Sequence, residues 1–218
     1  MNRHLLCAGT AAAVAAIALT ACGGDSDTPP VAPAATVTVD DAPSGAYVVS
    51  VGAEDALVVG KYYAAADGSR LVVLQNANDQ ATQLYRRASA GSAWSAVPPT
   101  TGNVTVSLAT RAAVTPASPS AAALAGAWRV PVDGGTAAFT LGADGTLTAG
   151  STACKLSGTV SAGTLPGTLK LALSTAGCGA LPVTARGVLV VDTDFAPAAF
   201  RLVADNGQQA VDLWAYAD

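Results

Sequence analysis

Four cysteines, one histidine and a scatter of aspartates are the residues of this chain whose types and spacing could do chemistry. The histidine is His4, so nothing beyond it can supply an imidazole for a Ser-His-Asp or Cys-His arrangement. No Ser-x-x-Lys, Gly-x-Ser-x-Gly or glycine-rich phosphate loop is present. Glu54 is the only glutamate, so a paired-carboxylate site would have to come from Asp192-x-Asp194 or Asp40-Asp41. Both pairs stand at the ends of β-like runs, where Asp is expected as a turn former. Asn76-x-Asn78-Asp79 offers oxygens to a cation but lacks the glycine and the closing Glu of a calcium loop, so it reads as a turn. No catalytic residue, metal or cofactor is implied, and the expected class is not an enzyme.

The cysteines are more informative. Arg3 and His4 precede an Ala-rich apolar run, Leu5 to Leu19, with small residues after it, which is the layout of an export signal. The run falls short of the about 20 strongly apolar residues that span a bilayer. Leu19-Thr20-Ala21-Cys22, followed by Gly23-Gly24, resembles the lipobox of bacterial lipoproteins. The resemblance implies cleavage before Cys22, acylation of its thiol and new amine, and a membrane anchor carrying palmitate-like chains. Gly23 in place of Asp leans the expected location toward the outer membrane, facing periplasm or surface. Cys7 would leave with the signal and Cys22 be taken by lipid. Cys154 and Cys178 then remain as a pair, and an oxidising compartment makes a disulfide the expectation.

Charged residues are 12% of the chain and the net charge is −4, which argues against a nucleic-acid partner or docking on anionic lipid. Arg86-Arg87 is the one basic pair and reads as a solvated strand end.

Residues 22–35 hold Pro29, Pro30 and Pro33 with no apolar period, as expected of a tether after a signal at 1–21. From Thr36 the pattern alternates with period two. Hairpin turns are marked at Asp67-Gly68, Asp144-Gly145 and Asp205-Asn206-Gly207. Thr168–Leu173 alternates most cleanly, with Leu169, Leu171 and Leu173 on one face, and Val188–Val191 is a continuous apolar run expected of a central strand. No 3.6-residue stripe follows Cys22. The predicted fold is all-β: a module over 36–113, a linker over 114–123 that could form one helical turn, and a barrel- or sandwich-like module over 124–218 stapled by Cys154 and Cys178.

The second module carries Gly145-Thr-Leu-Thr, Cys154-Lys-Leu-Ser157-Gly158-Thr-Val160, Cys178-Gly-Ala-Leu181-Pro182 and Gly187-Val-Leu-Val in that order. In this it resembles uncharacterised proteobacterial envelope lipoproteins with a two-cysteine β domain, and more distantly META-type lipoprotein domains. Gly126-Ala-Trp128 is similar to the Gly-x-Trp opening of lipocalin-like barrels. These resemblances imply export, anchoring and a stapled β fold, without an activity.

Two functions follow as expectations. The first is an anchored envelope lipoprotein, non-catalytic, that binds an envelope protein or glycan or contributes to structure. The alternative is a carrier of a small apolar ligand, with a cavity lined by Trp128 and the Leu169/Leu171/Leu173 face. Trp214 and Tyr216, alternating with Val211, Leu213 and Ala215, are either an exposed aromatic surface for a partner or core residues with polar tips at its edge.

Overall fold

The structure is a computed structural model that describes residues 35–218, and these fold into sixteen strands and a single 3-10 turn. The readings at Cys22, the signal and the tether lie outside the described residues.

Eight strands make the N-terminal half: β1 (Val37–Val39), β2 (Gly45–Val51), β3 (Val58–Ala64), β4 (Arg70–Gln75), β5 (Ala81–Arg87), β6 (Ser95–Val97), β7 (Val104–Val106) and β8 (Leu108–Val114). Six of them form an open sheet in the order β6-β5-β4-β3-β2-β8, while β1 and β7 pair in parallel as a separate ribbon. Alternation gives this sheet two apolar faces. Val49, Tyr62, Val72 and Tyr85 point to one side, where Val39 and Val106 of the ribbon cover them. Ala46, Tyr63, Leu71, Val73 and Leu84 point to the other side.

The C-terminal half is an antiparallel meander: β9 (Gly126–Val132), β10 (Gly135–Leu141), β11 (Thr146–Ala149), β12 (Lys155–Ala162), β13 (Thr168–Ala176), β14 (Thr184–Val190), β15 (Phe200–Asp205) and β16 (Ala210–Ala217). Pairing of Tyr216 with Arg129 and Ala217 with Trp128 joins the last strand to the first, so the meander closes as an eight-stranded barrel. Closure removes both sheet edges, and eight strands leave an interior that side chains can fill. The expected all-β fold with a stapled second half is the one observed, and the open choice between barrel and sandwich resolves to a barrel. Cys154 and Cys178 form the disulfide, tying the start of β12 to the loop after β13.

Hairpin turns stand where Gly follows Asp or Asn. Gly145, at φ 88°, makes the turn between β10 and β11; a Cβ there would lie 2.2 Å from the Val160 carbonyl oxygen. Gly187 admits the close approach of β15, since a Cβ on it would sit 2.1 Å from the carbonyl oxygen of Val203.

The sheet and the barrel meet along a buried seam. Val188 and Val190 of β14 and Val203 of β15 turn outward from the barrel onto Tyr63, Leu71, Val73 and Leu84. Their neighbours Leu189, Leu202 and Ala204 turn inward. The unbroken apolar run at 188–191 is therefore a strand buried on both faces. Between the two halves, Leu124 N–H donates to the Ser120 carbonyl in a single helical turn at residues 121–124.

Candidate functional site

The barrel interior is filled. Phe139, Leu141, Leu156, Leu171, Leu189, Phe200 and Leu202 are each at most 2% exposed and pack together in one cluster. Leu169, Leu171 and Leu173 share the inward face, as the alternation predicted. Trp128 points the same way and packs edge-on against Phe200, centroids 4.8 Å apart. Its indole N–H donates to the Leu124 carbonyl at 2.9 Å, so this ring closes one end of the core instead of lining an empty cavity.

Trp214 and Tyr216 do not point into that core. Val211, Leu213 and Ala215 do, and the two aromatics project from the outer surface of β16, each half-buried. The core alternative for these residues is thereby corrected by strand parity: one face of β16 is inside and theirs is not. Trp214 lies edge-on to Phe195 at 5.1 Å with the Arg201 guanidinium 5.0 Å from its ring, and its indole N–H has no partner among the described residues. Covered by these neighbours, it is a seam residue more than an open partner surface.

Three of the four candidate carboxylates, Asp192, Asp194 and Asp41, are occupied by cations. Lys61 reaches across from β3 to Asp192 at 2.7 Å and Asp194 at 2.6 Å, around the 3-10 turn Thr193–Phe195. Burial by itself would lower the lysine pKa, but hydrogen bonds and attraction from the two carboxylates outweigh it and hold the pKa above its ordinary value. Asp41 accepts from Arg70 at 2.7 Å, from Arg87 at 2.8 Å and from the Tyr62 hydroxyl at 3.2 Å. Burial acts to raise its pKa, yet the two guanidinium groups hold the carboxyl well below the usual range. The Tyr62 hydroxyl is pushed up to about 12, by burial first and by the Asp41 charge second. Asp40 instead receives the Leu108 N–H. Asn76 accepts from the N–H groups of Asn78 and Gln80, and Asp79 takes φ 59°, so that segment is a turn. Among the described residues no three His, Cys, Asp or Glu side chains gather as a metal site.

A second buried ion pair closes the far end of the seam. Arg201 donates to Asp212 at 2.6 Å, each side chain 4% exposed, and also to the Asp79 carbonyl. Asp212 accepts the Ala81 N–H at 2.7 Å, so β5 of the sheet is fastened to β16 of the barrel.

A concavity opens between the two halves, where β4 and β5 face β13, β14 and β15. It holds about 600 Å³. Leu71, Leu84, Val188 and Val203 form its apolar floor, and Arg86, Lys170, Arg186 and Asp205 its polar wall. Arg86 meets Asp205 at 3.0 Å; Asp205 is buried, which pushes its carboxyl up, with Arg86 and the Gly207 N–H opposing. Arg86-Arg87 is thus not the solvated strand end predicted. Its two side chains leave opposite faces of β5, Arg86 into this cleft and Arg87 onto Asp41 and the Trp94 ring. Lys170 and Arg186 were not legible as site residues, because each is a lone charge on an alternating strand and only the register brings them together. Compared with protein-family models, curated proteins and solved structures, the chain matches none.

Proposed function

We propose that this chain is a lipid-anchored protein of a bacterial cell envelope, held by acylated Cys22, that displays a rigid β body to bind a partner without catalysing a reaction. The observation that carries the reading is the Cys154–Cys178 disulfide. Such bonds persist in oxidising compartments, which is where the Leu19–Cys22 segment would deliver the chain. Three of the four candidate carboxylates, Asp192, Asp194 and Asp41, are spent on Lys61, Arg70 and Arg87, which supports a binding role over an acid–base one. The packed barrel interior supports partner binding over the carrier alternative, because the residues that would line a ligand cavity touch one another. The interaction surface assigned by this reading is the cleft between sheet and barrel, and Trp128 has no part in it.

The test is metabolic labelling with radioactive palmitate in a bacterial host, followed by membrane fractionation. The intact chain takes up label and sediments with the outer membrane. Cys22→Ala takes up none and is released from it. Label retained by Cys22→Ala would overturn the anchor.

A further inference from the structure

We propose that the cleft between the six-stranded sheet and the barrel binds an organic anion bearing an apolar group, its carboxylate or phosphate held by Arg86, Lys170 and Arg186 and its apolar part resting on Leu71, Leu84 and Val203. The inference rests on the partner-binding half of the reading above and is independent of the lipid anchor.

Charge placement is the first argument. The chain is acidic, at net −4, yet Arg86, Lys170 and Arg186 turn into this one cleft, against Asp205 as the single acid among its lining residues. Arg70 and Arg87 border it but point to the other face of the sheet, where Asp41 satisfies them. Lys170 and Arg186 have no ion-pair or hydrogen-bond partner among the described residues, and Arg86 gives Asp205 one contact out of the five N–H donors of a guanidinium. Nearby like charges on one sheet face cost stability, and a bound anion would offset that cost.

Register is the second argument. Lys170 pairs with Val188, and Arg186 lies two residues along the same strand, on the same outward face. Arg186 in turn pairs with Asp205, the residue that fixes Arg86. Cations from β5, β13 and β14 therefore line one cleft, and the buried carboxylate of Asp205 orients the Arg86 fork without engaging the other two. A guanidinium fork matches the planar oxygens of a carboxylate or the tetrahedral oxygens of a phosphate.

Size and floor supply the apolar half. About 600 Å³ is the scale of a small-molecule site, and such sites combine a mainly apolar lining with a few placed polar groups. Here the floor is the cleft-facing margin of the buried seam cluster, so a hydrocarbon or aromatic group laid on it extends a core already present.

The experiment is isothermal titration calorimetry on the full chain in a nonionic detergent, with 1-naphthyl phosphate, 1-naphthoate, inorganic phosphate and the neutral 1-naphthol as probes. Both naphthyl anions should bind, with inorganic phosphate and naphthol each weaker by about 10-fold or more, since each lacks one half of the recognition. Tighter binding of the phosphate points to a phosphorylated ligand such as a lipid headgroup, and tighter binding of the carboxylate to a fatty or aromatic acid. The double variant Lys170→Gln/Arg186→Gln should weaken the naphthyl anions by about 10-fold or more through lost charge-assisted hydrogen bonds. Arg186→Lys should keep most of the affinity. Raising salt from about 0.05 to about 0.5 M should weaken the unaltered protein likewise, which tests the charge requirement without any substitution. Absence of binding by both anions, equal binding of naphthol, equal binding of inorganic phosphate, or affinity indifferent to salt would each overturn the proposal. None of these results bears on palmitate labelling at Cys22, so the two readings fail separately.

Discussion

The barrel and the six-stranded sheet bury residues of different kinds. The barrel interior is mainly apolar, from Phe139 and Leu156 to Leu189 and Leu202, with no charged side chain inside among the described residues. The sheet is flanked by charges taken out of water: Arg70 beside the ribbon, and Lys61 at the seam. The seam also buries Arg201, Asp205 and Asp212 from the barrel's outer surface. Closure explains the contrast. A closed meander satisfies its own backbone and needs only apolar volume within. An open sheet must be held by its neighbours, and apolar contact alone is indifferent to sliding. Ion pairs with named partners, Lys61 with Asp192 and Arg201 with Asp212, give the seam one position. Burying a pair is weak evidence for stability, but leaving half of one buried is expensive.

Removing half of the seam pair is the most damaging change. Asp212→Ala leaves Arg201 buried without its counter-ion, and about 3–5 kcal/mol of stability should be lost in urea denaturation. If the seam rather than the barrel fails, near-ultraviolet signals from Tyr63 and Trp214 will be lost before those of the barrel interior. A single coincident transition would show that the two halves stand or fall together. Next in size is the staple. Cys154→Ala/Cys178→Ala frees a loop of sequence separation 24 and should cost about 3 kcal/mol. That loss belongs to the barrel, so it should leave the acid sensitivity of the sheet unchanged. A variant as stable as the parent would mean that closure by β9 and β16 suffices without the disulfide.

Acid gives the smallest effect and reports on the sheet. Asp41 has a folded pKa held below its unfolded value, so its contribution is fully present above the unfolded carboxylate value of about 3.9 and is lost as pH falls through the folded one. Tyr62 behaves oppositely: its contribution is complete below its unfolded value of about 10 and is lost as pH rises through about 12. Thermal melts across pH should therefore fall at both extremes, and Asp41→Asn should flatten the acid limb. An unchanged limb would remove Asp41 from its cause.

Much of this architecture was legible. Period-two alternation located most strands, and the Asp-Gly turns located the hairpins, because both are local consequences of backbone geometry. The inward face of β13 was readable from Leu169, Leu171 and Leu173 alone. Two strands blurred the pattern. In β8, Ala109, Thr110, Ala112 and Ala113 are small and exposed, so its last residue, Val114, reads as the start of a linker. In β9, burial alternates throughout, but Pro131 lacks a ladder N–H and argues against a strand when read alone. The cleft was not legible at all. Lys61 meets residues more than 130 positions away, and Arg86, Lys170 and Arg186 come from three separate strands. Lone charges on alternating strands look like solvated faces until the partner across the seam is known. Trp214 illustrates the same limit: alternation set it opposite Val211, Leu213 and Ala215, but which set faces the core, and what covers the other, was not readable.

All six residues of β15, Phe200 to Asp205, are buried, three toward the barrel and three toward the seam. The strand is a party wall with no free face, and its two sides differ in kind. Insertion of one codon ahead of Arg201 would exchange them, sending Arg201 and Asp205 into hydrocarbon and Leu202 against the carboxylates. The reading frame of this hexapeptide is thus shared property, and its drift would be vetoed by both halves of the molecule at once.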